Sequence, residues 1–421
     1  MNKWLIISYY SNIDDSAQAN WIDDRLPHLE ENEIEVLLLS SLCGSKHAEL
    51  FHKRVPSIDP AGFKYELSFI LKKKGFNGFL LKLFMVLIFL PAYPLYLLET
   101  RVLNLWGESQ YGWSVTAAIA GYLIAINKKP SAIYTSGGPI SAHVAGAIIS
   151  KLTNIPWVAE LQDPIVGRDI GRNSMSKKGL TYVENMIFSQ AKKVIFCTKK
   201  AKESSETRHG YGKSVCIYPG APLEKTPCND YIKTKKCRFI HIGALYQSRN
   251  LDYFFKGLTE AISERPDLIN YFELELYGGI HSDFIKRQIN EFRYNKMVSY
   301  HGIVERKDAL KYALRSDVLL LIQNTDYRSC ETIPSKVYEY LLLGKPILGL
   351  VYNNKELRQM LQSHGHSAVS ADNQKEIKEA IIKFYDSWRV NKLNDESRLL
   401  TSKLTVKNAT AQLLDLVASL G

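Results

Sequence analysis

The feature that most constrains this chain is a rhythm that occurs twice: short, nearly unbroken apolar runs alternate with amphipathic stretches. In the first half the runs are Trp4–Ser8, Glu35–Leu39, Ala132–Thr135, Trp157–Leu161 and Lys193–Cys197, with helical stretches such as Ser141–Leu152 and Lys178–Ala191 between them. In the second half they are Phe239–Ile242, Phe272–Tyr277, Val298–His301, Val318–Ile322 and Ile347–Val351, separated by helices of roughly ten residues. A strand that is apolar on both sides must be covered on both sides, which implies parallel sheets between layers of helix. Two such series predict an α/β chain of two doubly wound Rossmann-like domains facing a central cleft. The length, 421 residues, suits two cores of roughly 200 residues better than one.

The domain boundary lies after Tyr218-Pro219-Gly220, where a polar, Pro-containing stretch cannot hold a core element. Residues 1–218 are expected to form the N-terminal domain, 219–236 a linker and hinge, and 237–395 the C-terminal domain. Residues 396–421 are expected to form a last helix that packs back on the first domain. Ligands of doubly wound sheets bind outside the carboxyl ends of the strands, so the chemistry is expected between the domains.

The net charge of +11 calls for an anionic partner. The basic residues are spread along the chain and match no nucleic-acid-binding motif, so nucleic acid is excluded in favour of a membrane surface or a phosphorylated small molecule. The six cysteines are far apart and form neither a disulfide framework nor a zinc pattern; no metal is expected. The N-terminal apolar run is too short for a signal peptide and reads as a first strand, which implies a cytoplasmic location. Residues 79–98 break the rhythm within an insert of about 72–106. They are the most apolar stretch, flanked by Lys72-Lys73-Lys74 and Arg101, with Lys82, Pro91 and Pro94 inside. Cation-flanked apolar residues describe a segment lying in the headgroups of an anionic leaflet. A buried helical hairpin and a true span are the alternatives.

The stretch from Cys330 to Ile347 carries the most chemical information. Pro334 suits a first helical turn, and Gly344 followed by Pro346 suits a stop, so a helix of about ten residues is expected from Pro334 to Leu343. Its amino end, with free N–H groups and Lys336, is a candidate anion site. Glu331 before the helix and Glu339 within it stand eight positions apart, placed to hold a sugar and a ribose.

Glu331 and Glu339, followed by Gly344-Lys345-Pro346-Ile347, resemble the E-x7-E signature of retaining GT-B glycosyltransferases of the family 4 type, common in bacterial surface-polysaccharide assembly. Three further stretches support the resemblance: His241 to Leu251 with Gly243 and Arg249, Leu276 to Gly279, and Tyr300 to Val304. It implies that Arg249, Lys336, Pro334, Ser335 and Gly243 hold the donor pyrophosphate. Glu339 would bind the ribose, and Gly302 and Val304 the nucleobase. In the first half, Tyr134 to His143 and Glu160 to Pro164 resemble the family's acceptor-side turns, which implies that His143 and Asp163 act beside Glu331 in catalysis. His143 as a satisfied helix histidine and Asp163 as a plain turn residue are the bland alternatives. Two departures stand out: Ala244 replaces a usual basic residue, and the loop Ser11–Ala17 lacks glycine, leaving Ser11 or Ser16 as the phosphate contact there.

The resemblance implies a metal-independent retaining transferase with a nucleotide-diphosphate sugar as co-substrate and no other cofactor. Its acceptor would be a saccharide or lipid-linked saccharide of O-antigen, capsule or lipopolysaccharide, and residues 79–98 would hold it peripherally on the inner membrane. A sugar-nucleotide epimerase of the same architecture and a degenerate sugar-nucleotide-binding scaffold are the competing readings.

Overall fold

The computed structural model describes residues 2–13, 16–103, 110–166, 174–222, 231–393 and 402–420. Parts of the expected loop 11–17, insert and hinge, namely 14–15, 104–106 and 223–230, lie outside the described residues, as does the expected boundary at 395–396. The chain divides into two compact units, one of Met1–Tyr218 with Ala409–Gly421 and one of Pro219–Asn408.

The first unit is built on β1 (Asn2–Ile7), β2 (Ile34–Ser40), β3 (Phe51–Arg54), β4 (Ala132–Gly137), β5 (Trp157–Leu161), β6 (Lys193–Phe196) and β7 (Ser214–Cys216). They form one seven-stranded sheet in the order β3-β2-β1-β4-β5-β6-β7, with every neighbouring pair parallel. The side-chain alternation of a strand accounts for its two cores. Leu5, Ile7, Leu37, Leu39 and Trp157 pack against the helices Trp113–Lys128, Ser141–Thr153 and Ser174–Gln190. Trp4, Ile6, Val36 and Val158 point the other way, onto Ile22, Leu26 and Leu29 and onto Ala409 and Leu413 of the last helix, Val406–Ala418.

The second unit repeats the plan with β8 (Cys237–Ile242), β9 (Phe272–Tyr277), β10 (Val298–Gly302), β11 (Val318–Ile322), β12 (Ile347–Val351) and β13 (Ser367–Ser370). Their order is β10-β9-β8-β11-β12-β13, again all parallel. The chain is therefore α/β with two Rossmann-like units, and the strand order of the second reverses between β8 and β11. That is where an open parallel sheet leaves a crevice. At the start of this unit, Ala221 is tied to the C-terminal segment: its N–H donates to Leu404 O at 2.7 Å and its carbonyl accepts from Val406 at 2.8 Å.

The insert is two short helices, Gly78–Phe89 and Tyr93–Leu97, followed by a π-helical stretch, Leu98–Leu103. The axis bends by 99° at the break, where Pro91 lies, and among the described residues no single helix is long and apolar enough to cross a membrane. The buried-hairpin alternative is overturned. Only Met85 and Phe89 of the first helix are buried, against Leu71, while Phe79 is 76% and Leu87 61% exposed.

Candidate functional site

The loops that follow β8 and β11 meet across the crevice of the second unit. Ser248 Oγ donates to Asp326 Oδ2 at 2.9 Å, and Thr325 Oγ1 donates to Ser248 O at 3.2 Å. Two buried amides then shape the chain leading to Glu331. Gln323 Nε2 donates to the carbonyls of Ser329 and Thr332 at 2.7 and 3.0 Å, and Asn354 Nδ2 donates to the same two at 2.6 and 2.9 Å. Asn354 Oδ1 also caps the next helix by accepting from Leu357 N at 2.8 Å. A buried carbonyl without such a donor carries a desolvation cost of about 1–3 kcal/mol, so these amides fix the 3₁₀ turn Tyr327–Glu331. Glu331 stands partly exposed at its end.

The helix expected from Pro334 to Leu343 runs only from Lys336 to Leu342. Its amino end also differs from the expectation of free N–H groups: Val337 N donates to Pro334 O at 3.0 Å and Tyr338 N to Ser335 O at 3.3 Å. A tightened first turn has used those donors. Pro334 is partly exposed and Ser335 exposed, ahead of the first turn. What this helix supplies is side chains. Tyr340 Oη accepts from Ile242 N at 2.9 Å, and Lys336 Nζ donates to Ile242 O at 2.6 Å, so both polar groups of the last residue of β8 are held by one helix.

Gly243 follows with φ +130°, and a Cβ there would fall on Lys336 Nζ. Gly278, at the end of β9 with φ +128°, would put a Cβ against the Gly243 carbonyl. The two glycines thus let the strand ends and the ammonium crowd together. Burial depresses the Lys336 ammonium to about 7, helped by the positive charge of Arg249 and opposed by Glu339. His241, beneath them, is fully buried, with Nδ1 2.9 Å from Leu320 O; burial and then the Lys336 charge push it well below its ordinary value, so it is neutral.

Glu339 is engaged by a residue that sequence reasoning missed. Arg306 Nε donates to Glu339 Oε1 at 2.8 Å, and Arg306 Nη2 donates to the same oxygen. Arg306 opens the helix Arg306–Arg315 just after Gly302 and Val304. Gly278 N donates to Gly302 O at 2.7 Å, which joins the ends of β9 and β10. Gly243, Arg249, Lys336 and Glu339 are therefore brought together at the carboxyl end of β8, and Gly302 is linked to them through Gly278. Val304 is partly exposed in the turn before Arg306, whose side chain reaches Glu339.

In the first unit, His143 lies in the helix Ser141–Thr153 and is fully buried. Its Nδ1 is 2.8 Å from Thr135 Oγ1, and burial depresses it to about 4, so it is neutral at physiological pH. Its Nε2 is buried without a hydrogen-bond partner among the described residues. Asp163 is partly exposed in the turn after β5. The floor of this turn is a buried network. Arg25 Nη1 lies 2.7 Å from Glu160 Oε1, while Glu160 Oε2 accepts from Tyr134 Oη at 2.6 Å and Ser136 Oγ at 2.7 Å. Gln162 Nε2 donates to Ser136 Oγ at 3.3 Å. Ser11 Oγ is not open to solvent: it donates to Asp23 Oδ1 at 2.7 Å and lies 3.2 Å from His47 Nε2. Ser16 Oγ accepts from Ala19 N at 3.3 Å as a helix cap. No group of three or more histidine, cysteine or acidic side chains among the described residues is arranged to hold a metal.

Residues 229–398, most of the second unit, match the family model of glycosyl transferases group 1. No curated protein sequence matches. The fold is shared with sucrose-phosphate synthase from Thermosynechococcus elongatus, at 12% identity and TM-score 0.64, covering 100% of this chain and 99% of that one. It is shared with the lipopolysaccharide outer core galactosyltransferase WaaB, at 11% identity and TM-score 0.57, covering 100% of both chains. A UDP-GlcNAc 2-epimerase from Methanocaldococcus jannaschii has the same architecture, at 12% identity and TM-score 0.54, covering 100% of both. The chain thus has the GT-B fold, and part of its second unit resembles glycosyl transferases group 1.

Proposed function

We propose that the chain is a retaining, metal-independent glycosyltransferase that moves a sugar from a nucleoside-diphosphate sugar to a lipid-linked saccharide in surface-polysaccharide assembly. The observation that carries the reading is the meeting of Lys336, Arg249 and Glu339 at the end of β8, inside the matched domain. Two cations facing each other raise each other's cost of charge until an anion arrives between them, which suits a diphosphate leaving group. Arg306 holds Glu339 by Oε1, which leaves Oε2 for ribose hydroxyls.

In the reaction the bond from the sugar C1 to the diphosphate oxygen breaks, and a bond forms from C1 to the acceptor hydroxyl on the same face. The hydroxyl proton passes to a diphosphate oxygen. Glu331 orients the donor sugar, and His143 and Asp163 serve from the first unit; a neutral His143 donates or accepts a hydrogen bond without adding charge. The exposed apolar face of 79–98, with Lys72, Lys73 and Lys74 before it, supports peripheral binding to the cytoplasmic leaflet.

The test is incubation with a panel of nucleoside-diphosphate sugars, following released sugar by proton NMR. Slow release with the anomeric configuration of the donor retained at first appearance is expected, and Glu339→Ala should end donor binding. The likeness to an epimerase supplies the rival outcome: accumulation of an epimerised sugar nucleotide would replace the transferase reading, and no turnover of any donor would favour a binding scaffold.

A further inference from the structure

The strand β3 lies at the open edge of the first sheet. Beside it runs a groove of about 510 Å³, walled by Phe51, Val55 and Pro56 on one side and by Ile119, Leu123 and Ile124 of the helix Trp113–Lys128 on the other. That size lies within the roughly 300–1,000 Å³ of ordinary ligand sites. The helix buries Trp113, Ala117 and Ala125 against the sheet. It also carries a second apolar stripe facing outward, Val115, Ile119, Leu123 and Ile126, each between 46 and 60% exposed. A helix at the surface of a globular unit needs only one apolar stripe, so the second is unexplained by the fold.

The groove does not end in apolar walls. Lys53 and Lys128 line it, and Lys128 Nζ lies 5.5 Å from the centre of the Phe51 ring. Phe51 and Lys53 also line a neighbouring recess of about 570 Å³. Lys46, in that recess, lines a third of about 340 Å³ together with Arg54, Lys73 and Lys74. Shared lining residues place the three side by side around the β3 edge, and no carboxylate is among the residues that line them. The cations converge on the loop after β2: Arg54 Nη1 donates to Gly44 O at 2.5 Å and Lys73 Nζ donates to Ser45 Oγ. A largely apolar groove thus neighbours a recess at the carboxyl side of the sheet whose charged lining residues are all cations.

We propose that the β3 edge binds a single anionic lipid, its hydrocarbon chain in the groove and its phosphate on Lys46, Arg54, Lys73 and Lys74. Complementary charge, with Lys46, Arg54, Lys73 and Lys74 and no carboxylate lining the recess near the apolar groove, selects this occupant over a protein helix. The groove is separate from the 79–98 face, none of whose residues lines it. That the lipid is the carrier of the acceptor rests on the glycosyltransferase reading; the binding itself does not.

The probes are dodecyl phosphate, dodecyl maltoside and inorganic phosphate, each titrated into the full chain below micellar concentration and followed by native mass spectrometry and calorimetry. One dodecyl phosphate per chain is expected, with dodecyl maltoside at least tenfold weaker and inorganic phosphate weaker still. Leu123→Asp and Lys73→Glu, both at exposed positions, should each weaken dodecyl phosphate at least tenfold, with unchanged far-UV circular dichroism showing that the variants fold; Ile119→Asp replaces Leu123→Asp if that variant does not. Equal binding of the maltoside, equal binding of bare phosphate, or wild-type affinity in the groove and cluster variants overturns the proposal. Sugar release by the wild-type chain, measured alongside, separates the two readings: release without lipid binding sinks this inference alone, and lipid binding without release sinks the transferase reading alone.

Discussion

Raising the pH from 6 to 8.5 should cost the chain most of its affinity for a nucleoside-diphosphate sugar, and the loss should pass through Lys336. In the free protein this ammonium sits at about 7, because burial and the charge of Arg249 disfavour its charged form. At pH 6 it is roughly 90% protonated and at pH 8.5 only about 3%, by the titration of a single group. A diphosphate beside it raises its pKa, so binding takes up a proton wherever the free amine has lost one. If only the protonated form binds, the apparent affinity falls by the ratio of those fractions, about thirtyfold, which is about 2 kcal/mol. Arg249 remains charged throughout, so binding weakens without vanishing.

The sugar nucleotide is the right ligand because both its phosphates are diesters; a free nucleoside diphosphate carries a terminal group with a second pKa near 6 that would mix with the lysine. Calorimetry in two buffers of different ionisation enthalpy reads the proton directly, with uptake approaching one per site at pH 8.5 and near zero at pH 6. Lys336→Gln should bind more weakly at pH 6 and show no proton uptake. A flat affinity profile, or the same slope in Lys336→Gln, refutes the placement of the anion at this lysine.

Other outcomes follow from particular contacts. Arg306→Ala frees the Glu339 carboxylate from its anchor and should weaken donor binding by about ten- to a hundredfold, as expected when a ligating group loses the residue that orients it; direct titration checks it, with Arg306→Lys recovering part of the loss. Asn354→Ala removes the shared donor of the Ser329 and Thr332 carbonyls and a helix cap, and should lower stability by about 2–3 kcal/mol in denaturant titrations. Val86→Asp with Leu87→Asp, at exposed positions of the 79–98 face, should release the chain from vesicles of anionic lipid in a sedimentation assay while leaving its thermal midpoint unchanged. Glu99 is 4% exposed and accepts from Ala61 N at 3.0 Å; burial, with Asp59 beside it, raises its carboxyl to about 7. A raised acid stabilises the fold below its ordinary range and loses that contribution as pH climbs through 7. Glu99→Gln should therefore raise the melting temperature at pH 8.5 relative to the parent and change it little at pH 5, by scanning calorimetry.

The fold was legible because burial on both faces leaves a local mark. Trp157–Leu161, Phe272–Tyr277, Val318–Ile322 and Ile347–Val351 coincide with observed strands to the residue, and all are buried along their length or, for β9, alternately so. The strands that escaped are β3, β7 and β13, of four, three and four residues, and each lies at a sheet edge. An edge strand is covered on fewer sides and tolerates polar residues such as His52, Lys53 and Arg54, so the apolar signal fades where the sheet ends.

Lys336 and Glu339 could be named from the expected helix, and Gly243 and Arg249 from the resemblance of the stretch around them; the structure places the four near one another. What could not be read was the company those residues keep. Arg306 and Glu339 are 33 positions apart, and Gln323 and Asn354 reach the same two carbonyls from different strands' ends. The helix amino end shows the cost of reading locally: its first turn tightens and consumes donors that the sequence leaves open, so the positive charge at the site comes from side chains. A carboxylate that already holds an arginine is also a different ligand from a free one. It offers one oxygen in a fixed direction, which trades breadth of binding for orientation, and it makes the proposed ribose contact depend on a residue that no spacing between Glu331 and Glu339 could have revealed.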